Sequence, residues 1–140
     1  MAHTTAPVPV EPAAIDAFAQ QLRGELITRS SPDYDDARKV YNAMIDRKPL
    51  LIARCADVAD VIASVNFARD NHLLLAIRGG GHNGPGLGVC DDGLVIDLSQ
   101  MKGIRVDPIA RTARVEGGAL LSGVRAGRGQ SFADFAQQRV

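Results

Sequence analysis

The residues best suited to chemistry lie in one short segment, RGGGHNGPGLG, at residues 78–88. It contains six of the chain's fourteen glycines and one histidine, His82. A neutral imidazole near pH 7 can serve as a nucleophile, a general base or a ligand. A loop histidine can equally be an exposed side chain with no chemical role. Since no serine or cysteine with a matching acid stands out as a partner, hydrolysis by a catalytic triad has little support.

The glycines around His82 leave two interpretations open. Backbone N–H groups that no side chain covers can form a nest around an anion such as a diphosphate, with Arg78 nearby. The same glycines can also serve only to let the chain reverse its direction. Glycine spacing alone does not separate a binding loop from a structural turn.

Two common phosphate-binding motifs do not fit this segment. Gly79, Gly81 and Gly84 match GxGxxG, and Asp97 follows at a suitable distance, but a dinucleotide fold needs a helix to begin inside the motif. Instead Pro85 and further glycines follow, and only nine residues separate Gly84 from the next strand candidate, too few for a parallel crossover. A P-loop would need a lysine and a hydroxyl residue after the glycines, and neither is present.

Composition argues against several partners. Sixteen basic and sixteen acidic side chains cancel, so we expect neither nucleic acid nor an anionic membrane surface as a partner. No apolar run approaches the ~20 residues that cross a bilayer. The N-terminal residues lack the pattern of a secretory signal, which makes a cytoplasmic location the expectation. Cys55, Cys90 and the three histidines show no disulfide or metal-ligand spacing, so no metal is expected.

Three helices are predicted from spacing and capping. Residues 13–22 repeat apolar side chains at helical spacing until Gly24. A second helix is predicted between a cap at Ser31 and Pro49, and one of its faces would be formed by Val40, Ala43 and Met44. The third follows Asp57, a candidate N-cap. Its apolar stripe consists of Val58, Val61, Ile62, Val65, Phe67 and Ala68.

Short strands account for much of the remaining sequence. Residues 50–53 and 73–77 flank the third helix, and the continuously apolar second strand suits burial on both faces. Together they predict a βαβ unit with two parallel strands side by side. Residues 94–98, 103–106 and 112–115 follow without an intervening helix and predict an antiparallel meander. The expected fold class is therefore α+β.

The sequence also resembles a known family. The stretch IRGGGHNGPGLGVCDDGLVIDLSQMKGIRVDP, followed by ARTARVEGGALL, is similar to the FAD-binding (PCMH-type) domain of the vanillyl-alcohol oxidase and p-cresol methylhydroxylase superfamily. It is most similar to that of the bacterial berberine-bridge-enzyme-like oxidases. The upstream stretch PDYDDARKVYNAMIDRKPLLIARCADVADVIASVNFARDN, with Tyr34 and Asn42, resembles them too. The order of a strand, R-x-G-G-H-N and V-I-D-L-S is far more specific than GxGxxG.

The resemblance implies how the chain is organised. It implies N-terminal helices, a βαβ unit and short additional strands of a PCMH-type domain that is incomplete at its C-terminus. Residues 1–24 would be an N-terminal extension and helix, 25–122 a partial FAD-binding domain, and 123–140 a divergent tail. The abrupt loss of similarity at the tail motivates the hypothesis of a truncated or frameshifted gene product. Resequencing the locus without finding a longer reading frame in any frame would count against that hypothesis.

FAD is the cofactor that the resemblance implies. The family's loop after the second strand wraps the FAD diphosphate with its amides, which by position implies Arg78, Gly79, Gly80, Gly81, His82 and Asn83. The loop would continue along the cofactor through Gly86, Leu87 and Gly88, and a following strand and turn would bring Gly117 and Gly118 near it. The family's loop histidine is the usual covalent attachment point to the 8α carbon of the flavin. His82 would therefore carry the FAD.

An FAD-linked oxidoreductase is the function that follows from the resemblance. A full-length relative passes hydride from an alcohol, a sugar or a similar substrate to the flavin, and then passes the electrons to O2. The family's substrate domain and catalytic base have no counterpart in this sequence. We therefore assign no catalytic residue, expect a small-molecule substrate only for a full-length form, and expect little or no activity from the isolated chain. A non-catalytic flavin-binding remnant and a small α+β interaction domain are the alternatives.

Overall fold

The computed structural model describes residues 9–120, so the predicted tail at 123–140 and the first residues of the chain lie outside the described part. In chain order the elements are α1 (Pro12–Gln21), β1 (Glu25–Thr28), α2 (Tyr34–Ala37), β2 (Leu51–Arg54), α3 (Val58–Asp70), β3 (Leu75–Arg78), β4 (Leu94–Asp97), β5 (Ile104–Asp107) and β6 (Thr112–Val115). This mixture of helices and short strands confirms the α+β class.

Four strands form the main sheet, in the order β1-β2-β4-β3. β1 is antiparallel to β2, whereas β2, β4 and β3 are mutually parallel. The prediction of parallel strands on either side of α3 is thus confirmed, but their placement side by side is wrong. β4 lies between them. All four of its residues are buried, as expected for a strand at the centre of a sheet that is covered on both faces.

The predicted antiparallel meander of residues 94–98, 103–106 and 112–115 is wrong for its first strand. β4 belongs to the parallel sheet, and the antiparallel pairing is confirmed only for β5 and β6, which form a separate two-stranded sheet. Residues 79–93 are therefore a parallel crossover that contains no helix. The prediction that this stretch is too short for a parallel connection is wrong, because the connection already begins at Gly79, directly after β3.

The two edges of the main sheet also differ from the sequence prediction. β3 was expected to be buried on both faces, yet it is an edge strand whose Ile77 side chain is 57% exposed. Its apolar sequence could not reveal that β4 would take the inner position. The opposite edge is β1, which the sequence patterns did not predict and which pairs with β2 from Glu25 to Thr28.

The core consists of two apolar clusters on the two faces of the sheet. On one face α1 and α3 meet through Phe18 and Phe67, whose rings stack with centroids 4.2 Å apart. Helix α1, which was assigned to an N-terminal extension, is thereby part of the same core. On the other face α2 and the end of the glycine-rich crossover cover the sheet with Tyr34, Ala37, Val89 and Cys90.

Helix α3 begins as predicted but buries a different face. Asp57 caps it, because its carboxylate accepts a hydrogen bond from the backbone N–H of Asp60 at 3.2 Å. The predicted apolar stripe is wrong in part: Val58, Ile62 and Val65 are exposed. The fully buried positions are Asp60, Ser64 and Ala68.

Asp60 explains why a polar face of α3 turns inward. Its carboxylate is 1% exposed and accepts hydrogen bonds from the backbone N–H groups of Arg23, Gly24 and Ala56 at 2.8 to 2.9 Å. Ser64 adds a bond from its hydroxyl to the Asp60 carbonyl at 2.7 Å. A buried carboxylate is tolerated only when it is satisfied in this way, so these donors fix the rotation of the helix.

The predicted second helix is wrong beyond its first turn. α2 ends at Ala37, and residues 38–46, which we name the Tyr41 segment, are not helical. The carbonyls of Ala37 and Lys39 accept hydrogen bonds from a guanidinium on β3, and the N–H of Tyr41 bonds to the glycine-rich crossover. Tertiary hydrogen bonds thus replace the bonds that would have continued the helix.

Replacing Asp60 by Asn should destabilise the fold at neutral pH. Burial opposes the charge of Asp60, but the three backbone donors outweigh it and lower the pKa of its carboxyl. The stabilisation is therefore present above the unfolded pKa of about 3.9 and is lost as the pH falls through the lower folded pKa. We expect Asp60→Asn to lose about 2–4 kcal/mol in urea unfolding at pH 7.

The pH dependence provides the control for this prediction. Protonated Asp60 resembles Asn, so the difference between the two proteins should shrink as the pH approaches the folded pKa. Asp70→Asn, at an exposed position of the same helix, should change stability by no more than about 0.5 kcal/mol. Equal losses from the two substitutions would contradict the role given to Asp60.

Candidate functional site

The crossover after β3 presents a run of backbone N–H groups without acceptors. Within residues 9–120, none of the N–H groups of residues 79–84 donates a hydrogen bond. The carbonyls of the same loop do have partners: Gly81 accepts from the N–H of Tyr41 at 3.0 Å, and Gly84 accepts from the side-chain amide of Asn42 at 3.1 Å. The loop is thus held by its acceptors while its donors stay available.

The surface of this loop is open. Gly80, His82, Asn83 and Gly84 are all exposed. A Cβ atom added at Gly84 would meet no heavy atom within 4 Å. Gly81 has a φ of 71°, a left-handed conformation that glycine adopts without strain. Bare backbone with free donors, reachable from solvent, fits the requirements of a site for a phosphate group.

The His82 imidazole lies between a glycine and an aromatic ring. A Cβ added at Gly80 would come within 2.7 Å of His82 Cδ2 and 3.1 Å of Nε2, so the ring covers the bare α-carbon of Gly80. The Tyr41 ring contacts the imidazole with centroids 5.0 Å apart and planes tilted by 48°. The exposed imidazole of the loop therefore has defined neighbours.

A buried ion pair supports the loop at its start. The guanidinium of Arg78 donates to a carboxylate oxygen of Asp97 at 2.7 Å, and both side chains are less than a tenth exposed. It also donates to the carbonyls of Ala37 at 2.6 Å and Lys39 at 3.0 Å. The sequence placed Arg78 beside a diphosphate, whereas the structure commits its guanidinium to these protein acceptors.

The second half of the predicted site, residues 86–88, packs mostly against the protein. Gly86 is buried with a φ of 77°, and its bare α-carbon faces Ile45 of the Tyr41 segment. Gly88 is buried beside the Arg78 side chain. Leu87 is exposed, and its N–H donates to the side-chain oxygen of Asn83 at 3.0 Å. These residues shape the loop from Gly86 onward.

The two distant glycines of the prediction have different surroundings. The carbonyl of Gly117 lies against Gly79, where an added Cβ would be only 2.3 Å from it. Gly118 is buried, and its N–H donates to the carbonyl of Met101 at 2.9 Å. The structure therefore brings Gly117 to the first residue of the loop, while Gly118 anchors the turn that follows β6.

The sequence reasoning missed the contribution of the Tyr41 segment. Tyr41, Asn42 and Ile45 all contact the loop, yet the sequence pattern placed them in a helix. Asn42 was the residue in the sequence that could have indicated a non-helical conformation. In the structure its side-chain oxygen accepts a hydrogen bond from the N–H of Met44 at 3.1 Å. Asparagine often makes such local bonds at the expense of helix.

The cysteines are not part of this site. Cys55 and Cys90 are unpaired and buried, and burial raises the pKa of both thiols. They serve as small apolar side chains of the core. Among residues 9–120, no three His, Cys, Asp or Glu side chains are grouped as a metal ion would require, and no helix could cross a bilayer.

The described part of the chain is an α+β domain with exposed, bare backbone at the end of a parallel strand, an arrangement that suits an anionic cofactor. A sequence model described as an FAD binding domain matches residues 49–127, more than half of the chain. The chain belongs to this family of FAD-binding domains.

Individual relatives agree with this assignment. The chain is 38% identical to the uncharacterized FAD-linked oxidoreductase YgaK of Bacillus subtilis, over 74% of this chain and 23% of the relative. It is 36% identical to berberine bridge enzyme-like 9 of Arabidopsis thaliana, over 79% and 24%. Among solved structures, 6-hydroxy-D-nicotine oxidase from Arthrobacter nicotinovorans superimposes with a TM-score of 0.74 and 33% identity, over 79% and 24%.

These matches confirm the predicted resemblance to FAD-linked oxidoreductases of the berberine-bridge-enzyme type. They also show that the chain spans about a quarter of the length of the proteins it matches. The shared part is the FAD-binding domain.

Removing the charge of Arg78 should destabilise the fold strongly. Arg78→Met leaves the Asp97 carboxylate buried without its ion-pair partner, which typically costs about 3–5 kcal/mol. Urea unfolding should show this loss, whereas Arg105→Met at an exposed position of β5 should be nearly neutral. Adding Asp97→Leu to Arg78→Met removes both charges and should recover part of the stability. A double variant no more stable than Arg78→Met would argue against the ion pair as the cause.

Proposed function

We propose that residues 79–83 hold the diphosphate of FAD through their backbone N–H groups. The observation that carries this proposal is the run of N–H groups at residues 79–84 that have no acceptor within the described part of the chain. Glycine at four of these six positions lets phosphate oxygens approach the backbone closely. A neutral chain with no basic cluster at the loop suits an anion held by amides rather than by side-chain charge.

Amide chemical shifts provide a direct test of the diphosphate site. Adding FAD to the ¹⁵N-labelled chain should shift the amide resonances of residues 79–84, because these N–H groups gain phosphate acceptors. Adding ADP should shift them too, whereas riboflavin, which lacks the diphosphate, should affect them much less. The amides of β5 provide an internal reference that should not move. Shifts confined to other parts of the chain would contradict the proposed site.

We further propose that His82 forms a covalent bond to the flavin. The support is its exposed position within the donor loop, beside the residues that would hold the diphosphate. An imidazole nitrogen would lose its N–H proton and bond to the 8α carbon, which loses one hydrogen as a proton. The electron pair released remains on the flavin until O2 accepts it with the two protons, giving hydrogen peroxide and an oxidised, attached cofactor.

The attachment is tested by acid precipitation of chain incubated with FAD in air. The unchanged chain should keep flavin absorbance in the washed precipitate. His82→Ala should lose this acid-stable flavin while still binding dissociable FAD through the loop amides. His72→Asn, in the turn after α3, is the matched control and should behave as the unchanged chain. Undiminished covalent labelling of His82→Ala would rule out this residue as the attachment point.

The activity of the whole protein is also a proposal. We propose an oxidase that passes hydride from an alcohol, a sugar or a similar small molecule to FAD and returns the electrons to O2. When bound, FAD would supply the two-electron chemistry. The residues of this chain would bind and orient it: the loop amides at the diphosphate and His82 at the flavin. Substrate recognition would require the rest of a full-length protein, so the chain alone should show little turnover.

A further inference from the structure

Tyr41 is an aromatic residue at the surface whose one described ring contact is the imidazole of His82. Its side chain is 78% exposed, so it contributes little to the core. Aromatic rings at this separation attract each other modestly beyond the burial of their surface. The Tyr41 ring is mostly exposed, yet it contacts His82, the one histidine of residues 79–84. Its contribution to stability is therefore small, and we look for its role in the contact with His82.

The backbone of Tyr41 is fixed with respect to the loop at both sides of His82. Its N–H donates to the carbonyl of Gly81, the residue before His82, at 3.0 Å. The neighbouring Asn42 donates from its side chain to the carbonyl of Gly84, two residues after His82, at 3.1 Å. The backbone that carries the Tyr41 ring is therefore held to the loop by two hydrogen bonds, one on each side of the histidine.

The Tyr41 segment has two further fixed points. At its start, the buried guanidinium of Arg78 holds the carbonyls of Ala37 and Lys39. Toward its end, Ile45 lies against the bare α-carbon of Gly86. The segment is thus attached to the protein along its length, which fixes the backbone that carries the Tyr41 ring.

Gly80 limits the imidazole on another side. The Cδ2 and Nε2 atoms of His82 occupy the space that a Cβ at Gly80 would fill, at 2.7 and 3.1 Å. An unrestrained histidine samples three χ1 wells and a broad, two-fold χ2. In the structure the imidazole adopts one orientation, against the bare α-carbon of Gly80 and beside the Tyr41 ring.

We propose that Tyr41 is a positioning residue that holds the His82 imidazole in the orientation required for attachment to the flavin. This inference rests on the proposed covalent role of His82. In this role the Tyr41 ring contacts the imidazole that attacks the flavin, and the Tyr41 hydroxyl takes no part in proton transfer. The ring is therefore required for attachment, whereas the hydroxyl is not. Loss of the ring should lower the fraction of productive rotamers and slow attachment by about two- to tenfold.

The first test reads the contact without any cofactor. In the cofactor-free chain, the ring current of Tyr41 should displace the ¹H resonances of the His82 imidazole. Tyr41→Leu should move these resonances toward their values in an unstructured peptide, whereas Tyr41→Phe should largely preserve them. The resonances of His72 should stay unchanged in both variants. Gly80→Ala should also displace the His82 signals, because its Cβ occupies the space of the imidazole.

The second test measures the rate at which acid-stable flavin forms after FAD is added. We expect Tyr41→Leu to be about two- to tenfold slower than the unchanged chain, and Tyr41→Phe to match it. The affinity for dissociable FAD should change much less than the rate. Met44→Ala removes another exposed side chain of the same segment and should leave the rate unchanged.

The outcomes separate this inference from the function it rests on. A moved His82 signal and slower attachment in Tyr41→Leu, both restored by Tyr41→Phe, support the positioning role. Attachment at an unchanged rate in Tyr41→Leu overturns it while leaving His82 as the attachment point. An unmoved His82 signal in that variant overturns it as well. If the unchanged chain forms no acid-stable flavin, the proposed attachment itself fails, and the positioning role fails with it.

Discussion

The structure around the glycine-rich loop depends on the buried ion pair between Arg78 and Asp97. These are the last residues of β3 and β4, and they are register partners in the parallel sheet. A buried guanidinium is stable only when its donors are used, and Arg78 uses them on Asp97 and on the carbonyls of Ala37 and Lys39. One side chain therefore joins the end of the sheet, the start of the loop and the start of the Tyr41 segment.

The commitment of Arg78 to protein acceptors bears on how a chain of zero net charge would bind an anionic cofactor. Arg78, the basic side chain at the start of the loop, bonds to protein acceptors, so a diphosphate at the proposed site would be recognised by neutral N–H groups. Because the loop is exposed, water can satisfy these donors before a ligand arrives, so the free protein bears no penalty for buried unpaired groups. In the proposed site, binding would exchange water for phosphate oxygens on a loop in which the Gly81 and Gly84 carbonyls already accept hydrogen bonds.

Features of the fold that depend on neighbouring residues could be predicted from the sequence, whereas those set by distant contacts could not. The Asp57 cap, helix α1 and the β5–β6 pair follow from local patterns, and each is present. The burial of Asp60 depends on donors from Arg23 and Gly24, more than thirty residues away in the chain. No helical periodicity reveals such partners, so Val58, Ile62 and Val65 are predicted to be buried, whereas the polar Asp60 and Ser64 are buried beside Ala68.

The candidate site shows the same limit. Its glycines and His82 were found because their types and order are distinctive. The Tyr41 segment was missed because its conformation is decided by hydrogen bonds to Arg78 and to the loop, which outweigh an intrinsic helical tendency. Asn42 indicates a non-helical conformation, because asparagine favours local side-chain hydrogen bonds. Its link to the site, a hydrogen bond to the Gly84 carbonyl, is visible only in the structure.

The connection between β3 and β4 contains no helix, and this determines which of its backbone N–H groups are free. A helical crossover would have used most of its backbone N–H groups in its own hydrogen bonds and left donors only at its first turn. Residues 79–93 make the parallel connection as a loop, and Val89 and Cys90 at its end cover the sheet face as a helix would. The last residues of the loop therefore pack on the sheet, while the N–H groups of its first six residues stay free of acceptors within the described residues. The topology that places β4 between β2 and β3 is thus what makes bare backbone available at the end of a parallel strand.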